Sequence, residues 1–172
     1  MTYNIHPILV HFPIALLFIY SIIKIIPFSK WFPKASWRNI EFFLLTFGVL
    51  GAFASLASGD TAEHITRSNR ELVNIHALFA GISTWLYGAL LLGEVAHLFN
   101  QKEIINNPFM QNIKKLSVLL ERFLCNKTFS IIIAFLAFIC ITLTGLLGGV
   151  MVYGLGADPL AGFVVKILGI NL

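Results

Sequence analysis

Four long apolar stretches without a charged residue alternate with shorter segments that hold the charges. They cover residues 1–23, 42–59, 72–93 and 128–157. A helix needs about 20 predominantly apolar residues to cross a bilayer, so each stretch is long enough for one span. The pattern predicts an all-α integral membrane protein, a four-helix bundle that forms one domain over residues 1–172. We place the transmembrane helices at about residues 7–26, 39–58, 72–98 and 128–153.

Composition favours the same class of protein. Hydrophobic residues make up 58% of the chain and charged residues only 12%, whereas about 25% are charged in an ordinary soluble domain. We expect the first stretch to be a retained helix, because no Lys or Arg precedes it and no small-residue cleavage site follows it. Cys125 and Cys140 differ too much in depth to pair, so no disulfide is expected.

Lysine and arginine divide unevenly between the two ends of the predicted bundle. The N-terminus, the connection between helices two and three, and the C-terminus share one end, whose cations are Arg67, Arg70 and Lys166. The opposite end holds the others, namely Lys24, Lys30, Lys34, Arg38, Lys102, Lys114, Lys115, Arg122 and Lys127. Because cytoplasmic segments carry the excess of Lys and Arg, this bias predicts that both termini lie outside the cytoplasm. It explains the net charge of +4 without a nucleic-acid partner.

The connection between helices three and four contains a further helical pattern, with apolar positions on one side and charged positions elsewhere. The apolar residues are Phe109, Ile113, Leu116, Leu120 and Phe123, and the charged ones are Lys114, Lys115, Glu121 and Arg122. We interpret this as an amphipathic helix along the cytoplasmic membrane surface, with docking to a protein partner as the alternative. Near the C-terminus, Asp158 and Pro159 predict the start of a short interfacial helix.

Four of the five histidines gather at the extracytoplasmic end of the predicted bundle. His6 and His11 lie at the start of the first helix, His64 follows the second helix, and His76 is about one turn into the third. Ionisable side chains in membrane spans mark functional sites, and neutral imidazole is the commonest metal ligand among side chains. These positions therefore predict a binding site at this end.

His11 and His76 enter the bundle from the same end to a similar depth. Two histidines on facing helices hold a haem iron in such bundles. We therefore predict haem b with His11 and His76 as axial ligands, in a cytochrome b-like protein that carries electrons between membrane quinol and a periplasmic or membrane redox protein. The supporting residues are His6, His64 and Tyr153 beside the haem, Arg67 and Arg70 at its propionates, and Gly149, Gly81, Gly48 and Gly51 as points of close approach.

Two alternatives stay open. A non-haem zinc, iron or copper site would use the nitrogen and oxygen donors of His6, His64, Glu63 and Asp60. A protein without a cofactor, a homo-oligomer or a subunit of a membrane complex, would carry its histidines only because an interface tolerates polar side chains. We expect an electron carrier or a subunit rather than a stand-alone enzyme.

His97 lies at the opposite end of the bundle, where no other histidine accompanies it. A second haem there would lack one of its two ligands. We expect Glu94, one turn earlier on the same helix, to accept the hydrogen bond of His97.

Four segments together resemble a family of small bacterial membrane proteins. They are HPILVHFPIALL at 6–17, SGDTAEH at 58–64, NIHALFA at 74–80 and GGVMVYGLG at 148–156. Over essentially its whole length the chain is similar to the domain of unknown function 2231, four-helix membrane proteins with an HPxxVHFP motif. The resemblance implies the bacterial inner membrane and a place near respiratory or cytochrome-containing systems, and it supplies no activity. The matching residues are His6, Pro7, His11, Pro13, Gly59, Glu63, His64, His76, Gly148, Gly149 and Tyr153.

Overall fold

The computed structural model describes residues 5–65, 69–101 and 108–170, with all their side chains except those of residues 60, 61, 63–65, 108 and 157. These residues form helices and no strands. In chain order the helices are α1 (His6–Ile25), α2 (Phe28–Trp31), α3 (Trp37–Ile65), α4 (Arg70–Asn100), α5 (Pro108–Leu124), α6 (Lys127–Tyr153), a 3₁₀ turn (Gly154–Ala157) and α7 (Ala161–Ile167).

Four of these helices are long and apolar enough to cross a membrane. They are α1, α3 as far as Gly59, α4, and α6 with the turn that follows it. Large apolar side chains such as Phe12, Leu50, Trp85 and Phe135 are exposed along the spans, as on a helix surface that faces lipid. The prediction of an all-α membrane bundle with four spans is confirmed.

The four long helices form a ring in which each has two neighbours. α1 packs against α3 and α6, and α4 packs against the same two helices, so α1 and α4 occupy opposite corners. The start of α1 lies beside the end of α3, where His6 contacts Ser58, and the end of α1 lies beside the start of α3, where Lys24 pairs with Glu41. Neighbouring helices are therefore antiparallel. We call the end with His6 the histidine end and the other the α5 end.

Pro13 lies inside α1 without interrupting it. Proline has no N–H, which leaves the carbonyl of Leu9 without its helical partner. The Ser55 hydroxyl of α3 donates to that carbonyl at 3.4 Å, as well as to Gly51 at 2.9 Å. Gly51 also gives Pro13 room, because a Cβ there would come within 3.1 Å of the proline ring. A neighbouring helix thus satisfies the backbone group that the proline exposes.

The centre of the bundle is an apolar core that includes a hydrogen bond between helices. Leu17 and Leu45 are fully buried there, together with small residues of α6 that let the helices approach. Tyr87 of α4 is also fully buried, and its hydroxyl shares a 2.7 Å hydrogen bond with Ser21 of α1. This bond joins opposite corners of the ring.

Asparagine side chains begin two of the spans. Asn69 accepts hydrogen bonds from Glu71 and Leu72 at the start of α4, and Asn126 caps α6 in the same way. α3 departs most from the prediction, because it continues to Ile65 instead of ending at Ser58. Gly59 does not adopt the positive φ of a terminating glycine, so nothing at that position stops the helix.

The C-terminal segment folds back over the histidine end. Asp158 accepts a hydrogen bond from the Leu160 amide, and α7 then begins at Ala161. Ala161 and Val165 are buried with Leu72 of α4 and Leu147 of α6 in a second apolar cluster. The segment that the sequence predicted as an interfacial helix therefore covers part of the bundle end.

Candidate functional site

His76 points into the seam between α4 and α6. Its ring Nδ1 lies 3.0 Å from the carbonyl oxygen of Thr144. Because a carbonyl only accepts, Nδ1 carries the proton and the lone pair of the neutral ring is on Nε2. Gly148 makes this contact possible, since a Cβ there would lie 3.4 Å from Cε1 of His76 and a larger side chain would fill the seam. The ring is oriented as metal-binding histidines are, with one nitrogen bonded to a backbone carbonyl.

His6 is held in a related way at the opposite corner. Its Nδ1 lies 2.8 Å from the Ser58 hydroxyl of α3. That hydroxyl donates its own hydrogen to the Ser55 carbonyl at 2.9 Å, so it accepts from His6. A Cβ at Gly59 would lie 3.7 Å from Cε1 of His6. Each of the two rings thus contacts a polar group and a glycine on the neighbouring helix, and each neutral ring carries its proton on Nδ1.

The two histidines lie at the same end of the bundle. They come from helices at opposite corners of the ring. His6 is the first residue of α1 and remains part of the helix. His76 lies one turn after Leu72 on α4, at the end covered by α7.

His11 has a different environment. It is exposed on α1, and its Nδ1 donates to the carbonyl of Pro7 one turn earlier. Helical periodicity places it on the side of α1 that holds Phe18, whose ring packs against Phe138 of α6. The rings of His6 and His76 are therefore oriented by polar groups of a neighbouring helix, whereas that of His11 is oriented by its own helix. Axial ligation by His11 and His76 stays a prediction from the sequence.

The other predicted site residues divide into three groups. Gly149 is part-buried on α6 at the level of the site, and Arg70 is exposed at the start of α4. Tyr153 is 77% exposed and points away from the bundle. Arg67 and the side chains of Asp60, Glu63 and His64 lie outside the described part of the chain.

Two glycines predicted to make room for a porphyrin have another role. A Cβ at Gly48 would come within 2.5 Å of the Leu17 side chain, and the space beside Gly51 is occupied by Pro13. Both glycines let α1 approach α3, so the prediction that they make room for a porphyrin was wrong. Gly81 lies in an open apolar groove of about 540 Å³ on the outward face of α4, beside Trp85.

The described side chains bring no three metal-binding residues together. Within residues 5–65, 69–101 and 108–170, leaving the undescribed side chains aside, no group of three His, Cys, Asp or Glu residues forms a candidate metal site. The described histidines at this end are His6, His11 and His76, and a haem iron takes two axial ligands. A structural zinc site uses four protein ligands and a catalytic one uses three.

A polar network at the α5 end went unrecognised in the sequence. Glu121 of α5 accepts from Nδ1 of His97 at 2.6 Å and from Asn100 at 2.6 Å, while Ser117 donates to Asn100 at 2.5 Å. Gln101 donates to Nε2 of His97 at 2.7 Å. The hydrogen bonds from Asn100 and His97 hold the pKa of Glu121 below its usual range. We call these five residues the α5 clasp, because they fasten α5 to the end of α4.

Glu94 was expected to accept the hydrogen bond of His97, and this expectation was wrong. Glu94 instead pairs with Arg38 of α3 at 2.9 Å. Lys24 and Glu41 form another pair between helices at 2.8 Å, with both side chains less than one-fifth exposed. Charges that the sequence assigned to membrane orientation thus also tie α1, α3 and α4 together.

Cys125 lies in the short link between α5 and α6, close to these charges. Burial raises the pKa of its thiol. Neither Cys125 nor Cys140 forms a disulfide. The protonated thiol at neutral pH makes Cys125 a poor nucleophile.

Comparison with known proteins identifies the family. No curated protein and no solved structure matches the chain. The family model described as "Predicted membrane protein (DUF2231)" matches residues 2–158, which include all four spans, both histidines of the site and the glycines beside them. The chain belongs to this family of predicted membrane proteins.

Proposed function

We propose that the protein is a cytochrome b-like membrane electron carrier that binds haem b at the histidine end. The orientation of His76 carries the proposal. Its Nδ1 is bonded to the Thr144 carbonyl, which directs the Nε2 lone pair away from α6, and Gly148 leaves the space that this orientation needs. A histidine inside a membrane span that served only as a polar surface residue would not require a hydrogen bond and a glycine that together orient its ring.

The residues at this end fit a haem in number and in chemistry. Two neutral imidazoles supply its axial ligands, and the surrounding cluster of Leu72, Leu147 and Val150 is apolar. Arg70 is exposed at the same end and can reach an acidic group at the surface. Haem with both axial positions filled supplies one-electron transfer and disfavours the binding of small molecules at the iron.

His6 is the second ligand that the structure favours. Its ring is oriented by the Ser58 hydroxyl of a neighbouring helix, as that of His76 is by the Thr144 carbonyl. His11, which the sequence favoured, is exposed on another side of α1. We therefore assign the axial positions to His6 and His76 and give His11 no direct role in binding.

We place the protein in the bacterial inner membrane with both termini outside the cytoplasm, because eight of the ten Lys and Arg residues in the described part of the chain lie at the α5 end. The haem is then close to the extracytoplasmic surface. Membrane quinol is the electron donor that this position favours, and a periplasmic or membrane redox protein is the acceptor.

Single histidine variants test the assignment. The protein is produced with ample haem, purified in mild detergent, and examined by absorption spectroscopy and metal analysis. We expect His76→Ala and His6→Ala each to abolish the six-coordinate haem spectrum, while His11→Ala and the control His97→Ala retain it. Retention of the spectrum in His6→Ala with loss in His11→Ala would restore the pair predicted from sequence. Bound zinc, iron or copper without pigment would favour the non-haem site. A protein with no pigment and no bound metal would favour a cofactor-free subunit.

A further inference from the structure

α5 cannot move away from the end of the bundle. At its C-terminal end only Cys125 and Asn126 separate it from α6, a transmembrane helix. Along its length the α5 clasp binds it to α4 through Glu121 and Ser117. The helix is therefore held where α4 ends and α6 begins, at the level of one membrane surface.

The side of α5 that faces neither α4 nor α6 is apolar. Leu116 and Phe123 are 57% and 59% exposed, and Phe109 is 69% exposed. Their spacing of seven residues from 109 to 116 and from 116 to 123 corresponds to about two turns, so they line one face. Ser117 and Glu121, which contact α4, lie about 100° and 140° around the helix from Leu116. Ile113 and Leu119 extend the same exposed surface.

Cations border this face on one side. In a helix, Lys115 and Arg122 project beyond Leu119, whereas Lys114 lies about 160° around the helix from Leu116, on the side of Val118. Within the described part of the chain, none of the three forms an ion pair. The only acidic residue of α5, Glu121, is already bonded to His97 and Asn100. The border of the apolar face is therefore positively charged.

We propose that this face of α5 inserts into the adjoining leaflet and that Lys115 and Arg122 bind the headgroups of acidic phospholipids. Three observations select a lipid leaflet as the occupant. The two-residue link holds the helix beside a transmembrane span, the apolar face is continuous along its length, and the cations at its edge match anionic headgroups. A soluble protein partner would have to displace lipid at that level.

Spin labels on α5 test the proposal in the full-length protein. Single cysteines replace Leu116, Phe123 or, as the matched control on the opposite face, Val118, in a Cys125→Ser/Cys140→Ser background. The labelled proteins are reconstituted in vesicles of phosphatidylcholine, with or without phosphatidylglycerol. Collisions of the label with oxygen report exposure to acyl chains, and collisions with a water-soluble nickel complex report exposure to water.

We expect the labels at 116 and 123 to collide with oxygen and to be shielded from nickel, with the reverse at 118. Phosphatidylglycerol should deepen the insertion at 116 and 123, and Lys115→Gln/Arg122→Gln should remove that effect. Nickel accessibility at 116 equal to that at 118 would overturn the insertion. Shielding from both reagents would show that protein covers the face, and insertion unaffected by phosphatidylglycerol would overturn the role of acidic headgroups.

Discussion

Single hydrogen bonds decide which nitrogen of each site histidine can act as a ligand. Thr144 accepts from Nδ1 of His76, and Ser58, whose own hydrogen is committed to Ser55, accepts from Nδ1 of His6. Both neutral rings therefore keep their lone pair on Nε2. A glycine beside each ring makes this orientation sterically possible.

Gly148→Val should displace the His76 ring from its position between α4 and α6. A Cβ added at Gly148 would lie 3.4 Å from Cε1 of the ring, so the two methyl groups of valine would enter the space that the ring occupies. We expect loss of the haem spectrum and a destabilisation of about 1–3 kcal/mol from overpacking. Gly145→Val is the matched control, because a Cβ at Gly145 has no neighbour within 4 Å. Absorption and thermal unfolding in detergent measure the two effects. Equal losses in the two variants would show that Gly148 has no special role.

Tyr87→Phe should weaken the contact across the bundle. It removes the 2.7 Å hydrogen bond to Ser21, and neither side chain is accessible to solvent. We expect a loss of about 0.6–1.5 kcal/mol in the free energy of unfolding. A double-mutant cycle with Ser21→Ala separates this hydrogen bond from packing. Strict additivity of the two single variants would mean that the bond contributes nothing.

The sequence placed His6, His11 and His76 at one end of the bundle but did not show which of them share the buried faces of their helices. Depth along a helix follows from residue number, whereas the direction of a side chain depends on which face of the helix is buried. The buried face of α1 contains Pro13, Leu17 and Tyr20. His6 lies seven residues before Pro13 and shares that face, whereas His11 does not. This spacing is visible in the sequence, but it becomes informative only when the packed face is known.

At the scale of whole helices, the spans follow from hydropathy and the connections follow from local chemistry. Asn69 and Asn126 begin α4 and α6, and Gly154, with φ of 70°, ends α6. The extension of α3 beyond Gly59 and the one-turn helix α2 have no comparable signal. The α5 clasp joins residues more than 20 positions apart, and its pairing depends on how α5 folds back on α4.

The α5 clasp should loosen in acid. The folded protein lowers the pKa of Glu121, because Asn100 and His97 bind its ionised form. The stabilisation is therefore present above the ordinary glutamate pKa and is lost as the pH falls through the lowered value. Arg38, the other charged neighbour, stays protonated throughout. A spin label at Val118 should become mobile over that acidic range, below the usual titration range of glutamate.

Glu121→Gln provides the control for this pH dependence. The amide cannot ionise and forms weaker hydrogen bonds with its two partners. The label at Val118 should already be more mobile at neutral pH, and its mobility should not change as the pH is lowered through the acidic range. An identical acid transition in both proteins would assign the loosening to another group.

At the scale of the molecule, the distribution of charge is as asymmetric as that of the histidines. Of the ten Lys and Arg residues in the described part of the chain, eight lie at the end of the bundle that holds the α5 clasp, and His6 and His76 lie at the other end with α7. This polarity is expected of a membrane protein with distinct functions on its two sides. The sequence was sufficient to predict it, because both features depend only on the order of spans and connections.

Fusion reporters test the predicted orientation. Alkaline phosphatase joined to the C-terminus should be active, since it folds only outside the cytoplasm, and a green fluorescent protein at the same position should be dark. A fusion at Lys34, in the connection before α3, should show the opposite pattern. Activity of the phosphatase only at Lys34 would reverse the orientation and place the histidine end in the cytoplasm.

The most direct test of haem binding is the absorption spectrum of the purified wild-type protein, oxidised and then reduced with dithionite. We predict a Soret band that shifts on reduction and resolved α and β bands, as six-coordinate haem with two histidine ligands produces. A colourless protein, purified from cells with ample haem, would contradict the assignment of His6 and His76 as haem ligands.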